Sequence, residues 1–325
     1  MLPRRSVLTA LAGFGALTAL AACGEDSTPA VTPSATGGAA GADAFPVTVE
    51  HALGAAVIPA QPTRVATVGF NDQDFALALG VTPVVTRGNL SYDANQRPWA
   101  RDLLPADPIP EAGTDTLNLE AIAAQTPDLV LGCYSFLDRT TYEALDKIAP
   151  TVADLASEGG LQSASWQDQL TATGKALGLS AEATALREKV EQVFADHKAE
   201  NPSFAGRTLN LVMPYEGGFY VLGSEDLRTQ MFSGLGFELP LPGGQLSAEQ
   251  VDRLTSDVLV VLGGTQAEIA AVPVAAALPV VAENRTVYLG AFEGDVPAAI
   301  GYSSPLSLPF ALDAVVPQLA AVTRA

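Results

Sequence analysis

Sulfur and imidazole are scarce in this chain. Its 325 residues hold two cysteines, Cys23 and Cys133, so no disulfide framework can staple the fold. The two histidines, His51 and His197, lie far apart and in unlike contexts. That argues against a histidine-rich site for a bare transition metal and against most histidine-based catalysis. Basic residues are also few: 17 against 36 acidic ones give a net charge of -19. Nucleic acid is therefore a poor partner, and anionic headgroups repel the body of the chain, so membrane attachment has to be covalent. No G-x-S-x-G elbow or dinucleotide fingerprint occurs, and Thr173-Gly174-Lys175-Ala176 lacks the rest of a phosphate loop. Acidic residues are numerous enough for an anchored paired-carboxylate hydrolase, the rival reading of a different class. Yet no loop groups them in an apolar setting.

What is present begins with apolar content of 48%, ample for a substantial core, in a length that allows about two domains. The organising stretch is Ser180 to Asn201. Ala183, Leu186, Val190, Val193, Phe194 and His197 recur there at helical spacing, with charged residues opposite. Ser180 reads as its N-cap, Glu182 sits in the first turn, and Asn201-Pro202 closes it. Such a helix spans roughly 30 Å, enough to join two lobes. A surface helix within one domain fits this stretch alone equally well.

On both sides of it strands and helices alternate. Arg64 to Gly69, Pro83 to Thr86, Asp128 to Leu131 and Thr151 to Leu155 read as strands before it; Thr208 to Met213, Phe219 to Leu222, Asp257 to Leu262 and Thr286 to Leu289 follow. Helices are expected over 72–79, 117–125, 138–148 and 163–177, then 226–235 and 305–322, with a small hairpin near Leu53-Gly54. The expected class is α/β: two Rossmann-like lobes, residues 44–179 and 202–325, joined by one long α-helix over 180–201, with a ligand cleft between them.

Residues 1–22 read as a targeting segment, Arg4-Arg5 followed by an apolar run of small residues from Val7 to Ala22. The run ends Leu20-Ala21-Ala22-Cys23-Gly24, which resembles the lipobox of bacterial lipoproteins; the resemblance implies that Cys23 is acylated and becomes the N-terminus. The other reading is an uncleaved anchor, for which the run is short against a span of about 20 residues. Arg4-Arg5-Ser6-Val7-Leu8 loosely fits twin-arginine export as well. Residues 23–43, rich in Ser, Thr, Pro, Ala and Gly, form a flexible tether.

Four stretches together resemble the bacterial solute-binding proteins that feed iron-siderophore, haem and cobalamin ABC importers. They are Arg64 to Gly80, Leu117-Asn-Leu-Glu to Pro127-Asp-Leu-Val-Leu131, Tyr142 to Val152, and Tyr302-Ser-Ser-Pro-Leu-Ser-Leu-Pro-Phe-Ala-Leu312. The resemblance runs from about Pro46 to the end, and no single motif in it is diagnostic; their order around one long helix is. It implies a stiffly hinged, monomeric, lipid-anchored receptor on the extracytoplasmic side. Such a receptor would have no catalysis or cofactor of its own, and would deliver a ferric siderophore to a permease and its ATPase. Haem and cobalamin remain the rival ligands. It also implies that Glu120 and Glu249, one per lobe, dock on permease arginines, although both also suit the first turn of a helix.

Open α/β sheets bind ligands beyond the C-terminal ends of their strands. The loops 69–72, 87–99, 133–136, 215–219 and 263–266 are therefore candidates. They offer aromatics (Phe70, Tyr92, Trp99, Tyr134, Phe136, Tyr215), Asn71, and the cations Arg87 and Arg97, to which the nearby Arg228 is added. A chelate whose iron is already coordinated asks for planar surfaces and charge compensation, not for metal ligands. Arg87, directly after an apolar strand, reads as a ligand contact or as a surface ion pair. Cys133 reads as a small hydrophobe, with no second thiol or histidine near it in sequence.

Overall fold

The computed structural model describes residues 43–89, 92–156, 163–215 and 218–323. The expected targeting segment, Cys23 and nearly all of the tether lie outside the described residues. A hairpin opens the first lobe: β1 (Val47–His51) pairs antiparallel with β2 (Gly54–Ile58), and Gly54 takes φ +142, which favours glycine. Four short strands follow: β3 (Val65–Thr67), β4 (Val85–Thr86), β5 (Leu129–Leu131) and β6 (Thr151–Val152). They lie parallel in the order β4-β3-β5-β6. Every residue in them is buried, as a parallel sheet covered on both faces requires. The helices Leu119–Ala124, Arg139–Asp146 and Trp166–Leu177 each start on a side-chain cap, from Asn118, Asp138 and Ser165.

The long helix spans Ser180–Glu200, and Asn201 ends it just before Pro202. Its start differs from expectation. Leu179 occupies the N-cap position and Ser180 is the first helical residue. Ser180 instead donates its N–H and hydroxyl to the Asp43 carboxylate, at 3.1 and 2.6 Å, so an anionic group from far upstream faces the positive end of the helix. Ala183, Val190 and Phe194 are buried in a core shared with Trp166 and Leu170 on one side and Met231, Phe232 and Leu312 on the other. One apolar cluster thus runs through the helix into both halves.

The second lobe repeats the scheme only in part. Its strands are β7 (Leu209–Tyr215), β8 (Gly218–Leu222), β9 (Gly244–Ser247), β10 (Val258–Val261) and β11 (Thr286–Tyr288), ordered β11-β10-β7-β8-β9. β11, β10 and β7 are parallel, whereas β8 and β9 run antiparallel. Only Glu216 and Gly217 separate β7 from β8, far too little chain for a parallel crossover. The helix expected over 226–235 is a 3-10 turn, Leu227–Thr229, leading into Gln230–Gly234. A helix at Asp295–Tyr302 precedes the terminal one, Ser307–Thr323. Among the described residues no helix is long and apolar enough to cross a membrane.

Candidate functional site

A cavity of about 490 Å³ opens between the lobes. The first lobe contributes the loops that leave β3 and β5. A Cβ at Gly69 would lie 1.7 Å from Asp72 Oδ2 and 2.7 Å from Tyr134 O, so only glycine lets the two loops touch. Phe70 N–H then donates to Tyr134 O at 2.9 Å. Asp154, just after β6, fixes the second loop. Its carboxylate accepts the backbone N–H groups of Ser135 (2.9 Å), Phe136 (2.9 Å) and Leu137 (3.1 Å) and the Ser135 hydroxyl (2.9 Å). The result is an aromatic wall of Phe70, Tyr134 and Phe136, with ring centroids 4.9 to 6.0 Å apart. Phe136 sits at φ +54 and stays 44% exposed, an arrangement that costs energy and that the Asp154 bonds hold in place.

The second lobe contributes β8, the loop after it and the segment around Phe292 and Tyr302. On β8 Phe219 and Val221 are buried while Tyr220 turns outward to line the cavity. Arg228 also lines it and is gripped by Asp226 through two bonds, Nε at 2.8 Å and Nη2 at 2.6 Å. Burial works against that charge, but the Asp226 bonds outweigh it and raise the guanidinium above its ordinary range. Among the described residues the Glu225 carboxylate accepts only the Gly243 N–H, at 3.1 Å. At the rim Tyr92, from the first lobe, donates its hydroxyl to Asp295 of the second at 2.7 Å. Burial, then that carboxylate, pushes the Tyr92 phenol well up.

Of the residues expected at the site, Phe70, Tyr92, Tyr134 and Arg228 line the cavity; Asn71, Arg87, Arg97, Trp99 and Tyr215 do not. Asn71 is fully buried and donates to Tyr302 O at 2.8 Å. Arg87 turns back into its own lobe, donating to the carbonyls of Thr114 (2.7 Å), Ser135 (3.2 Å), Asp115 (3.2 Å) and Val68 (3.4 Å). Neither a ligand contact nor a surface ion pair describes it. Arg97 is buried against Asp74, with Nε 2.6 Å from Oδ1. Trp99 donates to the other Asp74 oxygen at 2.8 Å, beneath Tyr92, whose ring it stacks on at 5.6 Å. Tyr215 is exposed at the end of β7, and among the described residues of 215–219 and 263–266 none borders the cavity. Cys133 is buried 3.9 Å from Thr173 Oγ1, and burial raises its thiol well above the ordinary range, which makes it inert.

Sequence reasoning missed Tyr220, Glu225, Asp226, Phe292 and Tyr302. Strand alternation alone could have placed Tyr220 opposite Phe219 and Val221. Phe292 follows Gly290 in the loop beyond the C-terminal end of β11, a strand-end position of the kind that faces ligands in open sheets. Among the described residues no group of three or more His, Cys, Asp or Glu could hold a metal, and neither histidine borders the cavity. Glu120 and Glu249 are exposed in the first turns of their helices, one in each lobe.

Residues 65–291 match the model of a family described as periplasmic binding protein. A curated relative is the probable siderophore-binding lipoprotein YfiY of Bacillus subtilis, 28% identical over 212 residues. That match covers 64% of this chain and 62% of YfiY, less than two thirds of the relative's length. Among solved structures, a periplasmic solute binding protein from Mycobacterium smegmatis superposes with a TM-score of 0.74 at 30% identity, over 85% of this chain and 98% of its own. The iron uptake ABC transporter substrate-binding protein PiaA from Streptococcus pneumoniae gives 0.72 at 25% identity, over 86% and 99%. By name these are solute-binding proteins, not enzymes.

Proposed function

This chain belongs to the periplasmic binding protein family, and from that premise we propose that it captures a ferric siderophore between its lobes and hands it to an ABC permease. The observation that carries the reading is the interlobe cavity itself: about 490 Å³, faced by aromatic rings from both lobes. A hexadentate chelate brings its own iron ligands, so a binder needs shape and flat apolar surface and no metal-ligating cluster. The name of the Bacillus relative carries that ligand class, and that of PiaA carries iron uptake. Acylated Cys23 holds the body to the outer face of the membrane, with the 23–43 tether giving it reach. Glu120 and Glu249 seat the loaded protein on the permease, one charged contact per lobe, which fixes orientation and speeds encounter.

Haem is the weaker ligand. Of the tyrosines lining the cavity, Tyr92, Tyr134, Tyr220 and Tyr302, Tyr92 already donates to Asp295, and burial raises the phenols of Tyr92, Tyr134 and Tyr302, which disfavours an axial tyrosinate from them. The test is quenching of intrinsic tryptophan fluorescence in the purified protein by ferric chelates, haem and cobalamin. Saturable submicromolar quenching by a ferric chelate is expected. A response to haem or cobalamin alone would overturn the assignment.

A further inference from the structure

We infer that the cavity selects ferric chelates of zero or positive net charge, trihydroxamates in chemical terms, over triscatecholates and polycarboxylates. This rests on the siderophore reading above and narrows it. The ground is where the guanidinium groups go. An anionic chelate needs cations whose donors are free to turn toward it, and each candidate is already engaged. Arg87 directs its donors at four carbonyl oxygens and stacks over Phe70 with 4.0 Å between Cζ and the ring centroid. Arg97 is 1% exposed and ion-paired with Asp74. Arg228 reaches the cavity, but its charge is paired by Asp226 through Nε and Nη2, and its Nη1 sits 3.5 Å from the Met213 sulfur.

The carboxylates are the opposite case. Among the described residues lining the cavity the charged ones are Glu225, Asp226 and Arg228, so the wall carries one negative charge in excess. Among the described residues Glu225 has no cation on it, only a backbone N–H. Asp295 adds a carboxylate at the rim, bonded to a neutral phenol. The chain as a whole is strongly acidic, so its long-range field points the same way. A triply negative chelate entering this space is desolvated against a net negative wall whose one guanidinium is already paired with Asp226, whereas a neutral one gives the carboxylates no charge to repel and stacks on the aromatic faces. A positive group on the ligand gains both from Glu225 and from the ring faces.

The experiment is calorimetric titration of the purified full chain with ferrioxamine B (singly positive), ferrichrome (neutral), a ferric triscatecholate (triply negative) and ferric citrate. The two trihydroxamates are expected to bind tighter than the anionic pair by on the order of a hundredfold. Asp226→Asn keeps the side-chain shape but frees Arg228, and should narrow that gap by about tenfold; Glu225→Gln should narrow it less. Melting curves of both variants confirm that they fold. Equal or tighter binding of the triscatecholate or the citrate chelate overturns the charge inference and leaves the siderophore reading standing. An unchanged ranking in a folded Asp226→Asn variant also overturns it. Failure of all four chelates to bind overturns both.

Discussion

The two lobes are alike at the N-terminal ends of their parallel strands and unlike at the cavity. Ahead of β5, Asp128 accepts the N–H and hydroxyl of Thr63, both at 2.8 Å, clamping the start of β3. Ahead of β10, Asp257 accepts the N–H and hydroxyl of Thr208 at the same distances, clamping the start of β7. The same device sets strand register twice. At the cavity the first lobe presents aromatic rings on loops pinned from behind by buried carboxylates: Asp72, Asp74 and Asp154. The second presents its charges, Glu225, Asp226 and Arg228, on the open wall. Rigidity comes from one lobe and electrostatics from the other. Buried polar groups of the first lobe also tie the two together: the Asp74 carboxylate accepts the Ser304 hydroxyl at 2.8 Å, and the Asn71 amide donates to the Tyr302 carbonyl at 2.8 Å.

The largest effect should come from breaking that inter-lobe anchor. Asp74→Ala leaves the Arg97 charge buried without its partner and strips Trp99 and Ser304 of an acceptor. A loss of about 3–5 kcal/mol in denaturant unfolding is expected. Next comes Asp154→Ala, which orphans three backbone N–H groups of the aromatic loop. It should cost about 3 kcal/mol and weaken ligand binding as well, because Phe136 loses its support.

How much of this was legible in sequence follows from the same contrast. Runs such as Asp128-Leu-Val-Leu131, bounded by a polar residue and a glycine, mark strands because parallel strands must be apolar throughout. The spacing of Ala183, Val190 and Phe194 marks the long helix for a similarly local reason. The antiparallel course of β8 was legible in its short link to β7, whereas the short Gly-rich β9 was not. Nor was the fate of Arg87. Its position after β4 is local, but the carbonyls of Thr114 and Asp115 that engage it come from a distant loop. Ser180 makes the same point: its partner, Asp43, lies in a segment that composition alone assigns to a tether. Site elements set by long-range hydrogen bonds escaped, and so did Tyr220, although strand alternation marks it.

The contrast sharpens with pH. Burial, partly offset by the Cys133 N–H bond, raises the Asp72 carboxyl from 3.8 to about 6. A raised folded pKa means stability fully present below about pH 4 and lost as pH climbs through about 6, on the order of 3 kcal/mol for a fully buried group. For Asp128, burial works to raise the pKa but the Thr63 and Arg64 bonds outweigh it; for Asp257 the Thr208 bonds dominate. Both are lowered, so their contribution is present above the unfolded value and lost as pH falls through the folded one. Asp72→Asn should therefore flatten the stability profile between about pH 4 and pH 6 and leave the acid limb below it in place, measured by urea midpoints across pH. A loss of the acid limb in that variant would contradict the assignment.

The smallest effect belongs to the rim. Tyr92→Phe removes the hydroxyl bonded to Asp295 and keeps the ring stacked on Trp99. A drop of about 1 kcal/mol or less is expected in thermal unfolding of the free protein, since the bond is partly exposed.

The central claim, that the ligand lies against the aromatic wall of the first lobe, is tested most directly by the affinity of Phe136→Ala for a neutral ferric trihydroxamate beside the unaltered protein. Phe136 is exposed in the free protein and packs mainly on Phe70 and Tyr134. The account predicts a weakening of about tenfold or more with the unfolding midpoint nearly unchanged. Equal affinities of the two proteins would place the ligand elsewhere and contradict it.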